Sequence, residues 1–332
     1  MSQCRALIIG GTRNLGPDLV LALADADFHV TVLNRGVTPA SSLPAAIERL
    51  YADRSDKPAL AAAVRGRDFD AVIDTTLYNG PDAIAAGQVF GGRVGRYVML
   101  STGQVYLVRA GLERPFLESG YDGPTIPAPP QSSRFDFDNW SYGIHKRFAE
   151  DALRAADLPL TVLRLPMVNS RRDHFFRLRN YLARAQDSGP VLIPAEEPHS
   201  PLRHVYGKDV VSAVMRALHA GVNGAFNVGQ DETLTIDQFL SKIGATPLRV
   251  PGQTLWSIGL MPQCSPFSEP WMSALDNRLG KAALGIRYTP FDECLEALMR
   301  DFGEHPVAPL PGYEQRPREL EFAREHRPWR GN

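Results

Sequence analysis

The sequence predicts an α/β protein built on a parallel sheet. Three observations carry that expectation. Short apolar runs alternate with segments of helical periodicity, the first run breaks into a glycine-rich turn, and polar residues gather where later runs end. With 332 residues, 44% hydrophobic and 22% charged, the chain is long enough for one large or two joined domains and too apolar for wholesale disorder.

The elements follow in order. Arg5–Ile9 reads as a strand that ends at Gly10–Gly11, residues 14–26 as a helix with Pro17 near its start, and residues 28–33 as a second strand. Residues 48–51 read as a third strand, 57–64 as a helix, 71–74 as a fourth strand, 81–90 as a helix and 96–101 as a fifth strand. Residues 107–139 carry prolines at 115, 124, 127, 129 and 130, and predict a functional lid or a mobile loop. A helix over 142–156 and a strand over 160–165 restore the rhythm. Beyond Pro166, helices are expected over 175–185, 210–218, 237–243 and 292–302, and short strands over 191–193 and 226–228. The charged stretch 316–332 predicts a helix laid on the surface or a partly ordered tail.

Composition excludes some classes. Lys plus Arg number 36 against 37 Asp plus Glu, so the net charge of -1 gives no global attraction to nucleic acid or an anionic membrane. Cys4, Cys264 and Cys294 form neither a disulfide framework nor a metal-ligand spacing, which predicts a reduced, cytoplasmic protein without a metal. No apolar run approaches the length of a membrane span, and no signal peptide is expected.

The first chemical signal is Gly10-Gly11-Thr12-Arg13-Asn14-Leu15-Gly16. Small residues at a strand end let backbone amides approach a pyrophosphate at the N-terminus of the following helix. Asn34 and Arg35 then close the second strand, where a carboxylate would receive ribose hydroxyls and an arginine accommodates a 2′-phosphate. With Arg13, this favours NADP over NAD, NAD remaining open. Asp53 and Arg54, after the third strand, are candidates for the adenine edge, and Thr75 for the cofactor wall after the fourth.

The second signal is Tyr142 and Lys146, four apart and therefore on one helical face. An ammonium beside a phenol favours phenolate and can hold a nicotinamide ribose. The phenol can then exchange a proton with a substrate oxygen while hydride moves at carbon. Thr102, after the fifth strand, is the candidate partner for the same oxygen, with Ser101 beside it. His145 reads as packing, Asp209 as a loop anchor, and Arg171, Arg172, Arg177 and Arg179 as a grip for an acidic substrate or an ordinary amphipathic helix. His174, His199 and His204 fall near substrate-facing segments without metal spacing, and Tyr106 and Trp140 read as pocket lining or core.

Together these residues resemble an extended short-chain dehydrogenase/reductase of the NAD(P)-dependent epimerase/dehydratase superfamily. GGTRNLG (10–16), DAVID (70–74), STGQVY (101–106), YGIHKRFAE (142–150), LRLP (163–166), HVYGKDV (204–210), GAFNVG (224–229) and LGIRYTPF (284–291) carry the resemblance in the expected order. It implies a Rossmann-type doubly wound sheet over 1–166, a smaller substrate-binding part over 167–315 returning to the first near 204–229, and a tail over 316–332. It places the catalytic roles on Thr102, Tyr142 and Lys146. Arg13 replaces the middle glycine, as in an atypical subgroup. The family's dehydratases carry an Asp-Glu pair after the threonine. Gly103-Gln104 stands here, which disfavours dehydration, and residues 166–171 lack the usual glycine-proline pattern before a nucleotide-sugar site.

The function expected is an NADP-dependent reductase of a ketone or aldehyde on a small polar or specialised-metabolite substrate. The alternatives are an epimerase of a sugar or nucleotide sugar, and a non-catalytic nucleotide-sensing or RNA-binding relative. A small-molecule substrate is the expected partner, nucleic acid and membrane are not, and a homodimer is left open.

Overall fold

A computed structural model describes residues 3–39 and 42–326. The first half alternates as β1 (Arg5–Ile9), α1 (Gly16–Asp25), β2 (His29–Asn34), β3 (Glu48–Tyr51), α2 (Lys57–Ala63), β4 (Ala71–Asp74), α3 (Gly80–Phe90) and β5 (Tyr97–Thr102). Next come α4 (Gln104–Leu107), a 3-10 turn at Glu118–Gly120, α5 (Arg134–Arg154) and β6 (Leu160–Leu165). The second half holds β7 (Val168–Asn169), α6 (Arg177–Gln186), β8 (Val191–Pro194), β9 (Val205–Tyr206), α7 (Gly207–Ala220) and β10 (Gly224–Asn227). It ends with α8 (Ile236–Lys242), β11 (Pro247–Val250), α9 (Gly252–Ser257), α10 (Arg278–Leu284), α11 (Phe291–Glu304) and α12 (Arg316–Glu325).

Seven strands form one parallel sheet in the order β10-β6-β5-β4-β1-β2-β3. This is the doubly wound Rossmann arrangement. The order reverses between β1 and β4, and the crevice beyond their C-terminal ends is where such sheets bind ligands. Side-chain alternation explains why both faces are covered. Ala6 and Ile8 of β1 join a core with Leu19 and Leu23 of α1 and Val210 and Val214 of α7, whereas Leu7 and Ile9 join one with Ala83 and Phe90 of α3 and Leu153 of α5. Local chemistry starts the helices. Asp56 accepts a hydrogen bond from the Ala59 amide at α2, and Asn79 does the same for Asp82 at α3.

One expectation needs correction. Residues 107–139 are not loop throughout. α5 begins at Arg134, and upstream Phe116 and Tyr121 pack with Val105, Tyr106 and Leu275, while Arg147 donates to the Tyr121 carbonyl at 2.9 Å. Helix α12 is laid on the surface as expected, with Arg316, Glu319 and Ala323 turned inward. Its Glu319 is buried between Arg184 and Arg316, at 2.6 and 3.0 Å, and Arg316 also pairs with Asp187 at 2.6 Å. Residues 327–332 of the expected tail lie outside the described residues. Among the described residues no helix is long and apolar enough to cross a membrane.

Candidate active site

The glycine turn is built as a cradle. Gly10 and Gly11 have φ of 102° and 80°, left-handed values that favour glycine. A Cβ on Gly16 would lie 2.4 Å from the carbonyl carbon of Gly11, so α1 can approach the turn only with glycine there. Asn14, with φ 50°, accepts a hydrogen bond from Ser170 Oγ at 2.9 Å, which ties the turn to a segment more than 150 residues away in sequence.

The turn opens on a cleft of about 580 Å³ over the switch point. Of the residues expected to hold a cofactor, Gly10, Gly11, Thr12, Arg13, Asn14, Leu15 and Gly16 line it, as do Asn34, Arg35, Asp53, Arg54 and Thr75. Arg13 and Arg35 are exposed, and neither forms an ion pair among the described residues. Asn34 Oδ1 accepts from the Gly36 amide at 2.9 Å, while its buried Nδ2 has no partner among the described residues. Asp53 caps its own turn through Ser55, whose amide and hydroxyl donate to it and hold its carboxyl below the usual range.

Arg54 differs from expectation. Its guanidinium, which also lines the cleft, is committed to the buried Asp74, with Nη1 donating to both carboxylate oxygens at 2.6 and 2.7 Å. Tyr97 donates a further hydrogen bond to Asp74 at 2.6 Å. An unpaired Asp74 at the end of β4 would be a buried charge in the floor of the cleft, and Arg54 neutralises it. Ser101 is likewise turned inward, its hydroxyl donating to buried Glu150 at 2.5 Å. Sequence missed the reverse cases. Thr76, Tyr78 and Asp82 line the cleft, and so does His174, which the sequence had set only near a substrate-facing segment.

Thr102 ends β5, and its Oγ1 accepts from the Gln104 amide at 3.2 Å. Tyr142 and Lys146 project from the same helix, α5. Although 36% of Tyr142 is exposed, desolvation is the largest influence on its phenol. Tyr78 adds to it, a hydrogen bond with Thr102 opposes it, and the net effect pushes the phenol up to about 12. Lys146 has partners of its own. Its buried ammonium is directed at the carbonyl oxygens of Leu77 and Leu100, each at 2.8 Å. Desolvation brings Lys146 down to about 8, against the attraction of Glu150 and Asp74. An ammonium has three donors, so one remains for another acceptor.

Below β5 a polar network continues through the core. Arg164 pairs with Glu150 at 2.6 Å and donates to the Tyr106 hydroxyl at 2.6 Å, which donates in turn to Asn227 of β10 at 2.9 Å. Tyr106 therefore belongs to the core, and Trp140 donates to the Ile126 carbonyl at 3.1 Å. Asp209 accepts from the Thr289 amide and hydroxyl, which anchors the loop before α11. His145 is exposed rather than packed.

The segment before α10 packs near Thr102 without lining the cleft. Ser273 sits where a Cβ on Gly103 would lie 2.2 Å from its Oγ, next to Thr102, and Trp271 donates to Asp136 of α5 at 2.8 Å. In the same segment Glu269 has a buried oxygen without a partner among the described residues, and burial pushes its carboxyl up to about 7 against the pull of Arg177. The four arginines divide their work. Arg171 and Arg172 pair with Asp18 of α1, and Arg179 donates to the carbonyls of Phe302 and His305. Arg177 pairs with Asp173 at 3.8 Å and lies over the Phe175 ring at 4.1 Å. His204 is 3% exposed, with its Nδ1 3.2 Å from Asn169 and its Nε2 without a partner among the described residues, and desolvation followed by Arg177 lowers it to about 3. His199 faces the Pro194 carbonyl. Among the described residues no group of three or more His, Cys, Asp or Glu is arranged to hold a metal ion.

The same architecture recurs in solved structures. The WbmG enzyme of Bordetella bronchiseptica in complex with NAD superposes with a TM-score of 0.72 at 19% identity, over 92% of this chain and 95% of that one. UDP-glucose 4-epimerase of Thermotoga maritima with UDP-glucose gives 0.68 at 18% identity, over 90% and 99%. This chain has the fold of the NAD-binding epimerases and dehydratases. The fold agrees with the resemblance read from the sequence motifs. In sequence, a 2′-dehydrokanamycin reductase of Streptomyces kanamyceticus is 33% identical over 152 residues, which make up 46% of this chain and 38% of the reductase. The chain thus matches well under half the length of that relative. No family model matches.

Proposed function

We propose that the chain is an NADP(H)-dependent oxidoreductase that reduces a ketone or aldehyde on a small, polar, sugar-like substrate. The observation that carries this reading is the pairing of Tyr142 with Thr102 near Tyr78, which lines the glycine-rich cleft, although neither Thr102 nor Tyr142 itself lines it. The residues present fit a dinucleotide. The backbone of Gly10–Gly16 suits the pyrophosphate, and Arg13 and Arg35, both exposed and without ion pairs among the described residues, suit a 2′-phosphate. Lys146 has one donor left for the nicotinamide ribose. When bound, the cofactor supplies the hydride.

The protein's own part is proton transfer and orientation. Tyr142 stays protonated at neutral pH and gives its proton to the substrate oxygen, which Thr102 orients. Residues 1–166 hold the nucleotide and much of 167–315 the substrate. There Glu269 and Arg177 offer an acceptor and a donor to a hydroxyl-bearing ring. Gly103 and Gln104 leave no acid–base pair beside Thr102 for eliminating water. The reductase among the sequence relatives supports reduction, and the likeness of fold to UDP-glucose 4-epimerase supports epimerisation by the same trio as the second reading.

Fluorescence titration of NADPH and NADH should show NADPH bound several-fold more tightly, and keto-sugars should then consume NADPH. Equal or tighter NADH binding would remove the arginine argument. Interconversion of a nucleotide sugar without net cofactor consumption would replace reduction by epimerisation.

A further inference from the structure

Lys146 is held by two backbone carbonyls, one in the turn after β4 and one in β5, and each segment is fixed by its own buried arginine–carboxylate pair. We propose that Asp74 with Arg54, and Glu150 with Arg164, are positioning pairs that fix the Lys146 ammonium at its place beside the cleft.

The first pair acts from β4. Asp74 Oδ1 accepts from the Thr76 amide at 3.1 Å, which folds the turn leading to Leu77, and the Leu77 carbonyl receives Lys146 Nζ at 2.8 Å. Arg54 and Tyr97 hold Asp74 itself, at 2.6 Å each. The second pair acts from β5. Glu150 accepts from Ser101 Oγ at 2.5 Å, and the neighbouring Leu100 carbonyl receives Lys146 Nζ at 2.8 Å. Arg164 holds Glu150 at 2.6 Å through a side chain that is 1% exposed. Both carboxylates are fully buried. Buried ion pairs add little net stability over well-packed apolar residues. Their geometric result is two carbonyl oxygens converging on one ammonium.

The pairs also set its charge. The groups facing Lys146 are Asp74 from β4, Arg54 from the turn after β3, the Tyr78 ring at 5.7 Å, and Glu150 from its own helix, with Arg164 of β6 behind Glu150. Removing either carboxylate deletes an attraction and leaves its arginine unbalanced, so the ammonium loses its proton at lower pH.

The inference rests on the reading of Lys146 as a cofactor-holding group, but its test uses the free protein. The chain has five lysines, so labelling lysine ε-carbons gives five NMR signals. In the wild type, one should titrate well below the other four and show two distinct ε-proton shifts, as a fixed side chain does. Lys146→Met assigns that signal. Asp74→Asn and Glu150→Gln should each lower its titration by about one pH unit or more and merge the two proton shifts, with helix content unchanged. Tyr97→Phe and Ser101→Ala each remove one hydroxyl from a network and keep its charges. They carry the test where a charge variant does not fold, and should narrow the proton splitting. An unchanged Lys146 signal in the folded variants would overturn the positioning role. A correct Lys146 response without NADPH binding would leave positioning intact and defeat the function proposed above.

Discussion

Tyr142→Phe removes one hydroxyl and keeps the ring against Tyr78 and Thr102. If the phenol is the acid, turnover should fall by about 10²–10⁴-fold while NADPH affinity holds, and a coupled steady-state and titration experiment separates the two. Because the phenol is pushed up to about 12, it is protonated throughout the neutral range, so reduction should show no falling limb from this residue until pH nears that value. His204 makes a second prediction, about stability. Its folded value near 3 lies below the ordinary 6.5, so on acidification the unfolded chain binds the proton first. Stability is therefore complete above 6.5 and drains away as pH falls toward 3, by about 1.4 kcal/mol per pH unit from this group. His204→Gln should flatten that part of a pH series of denaturant melts, and an equal acid slope would show that the imidazole is not held neutral. The proposed pair of Tyr142 and Lys146 was legible at this scale because its spacing is local: both stand on one face of α5. The true commitments of Arg54 and Ser101 were not, because their partners, Asp74 and Glu150, lie 20 and 49 residues away.

Among the elements, periodicity found most strands and helices of the first half nearly to the residue, since each carries one apolar stripe and a clear breaker. It failed at α5, where Arg134–Asn139 is too polar and too close to the proline-rich stretch to look helical, and at β11, α9 and α10, which are short and gain their order from neighbours. Helix α12 is the most telling case. Its composition left a surface helix and a partly ordered tail open, and the helix forms because Arg184 and Arg316 hold Glu319 while Ala323 packs with Leu192 and Leu255. Breaking a buried pair by removing one partner costs about 3–5 kcal/mol. Glu319→Gln should therefore lower the thermal midpoint markedly, by calorimetry, while Glu321→Gln on the same helix should not. Similar melts for both variants would mean that α12 contributes little to the fold.

Across the whole molecule, the glycine turn and the second half of the chain are one mechanical unit. Ser170 bonds Asn14, Arg171 and Arg172 pair with Asp18 of α1, and His174 lines the cleft, although these partners are more than 150 residues apart in sequence. Nothing in local periodicity announces such a link, because it depends on β7 and the following turn crossing above α1. Its consequence is testable by hydrogen exchange with saturating NADPH. Protection should rise together in residues 10–16 and 170–177, since ordering either side of the cleft orders the other. The packed stretch around Phe116 and Tyr121 should change little on cofactor binding alone, because its apolar contacts and the Arg147 bond already hold it. Protection confined to residues 10–16 would show that the bridge from Asn14 to Ser170 transmits nothing. A response centred on residues 116–121 would restore that segment as the moving part.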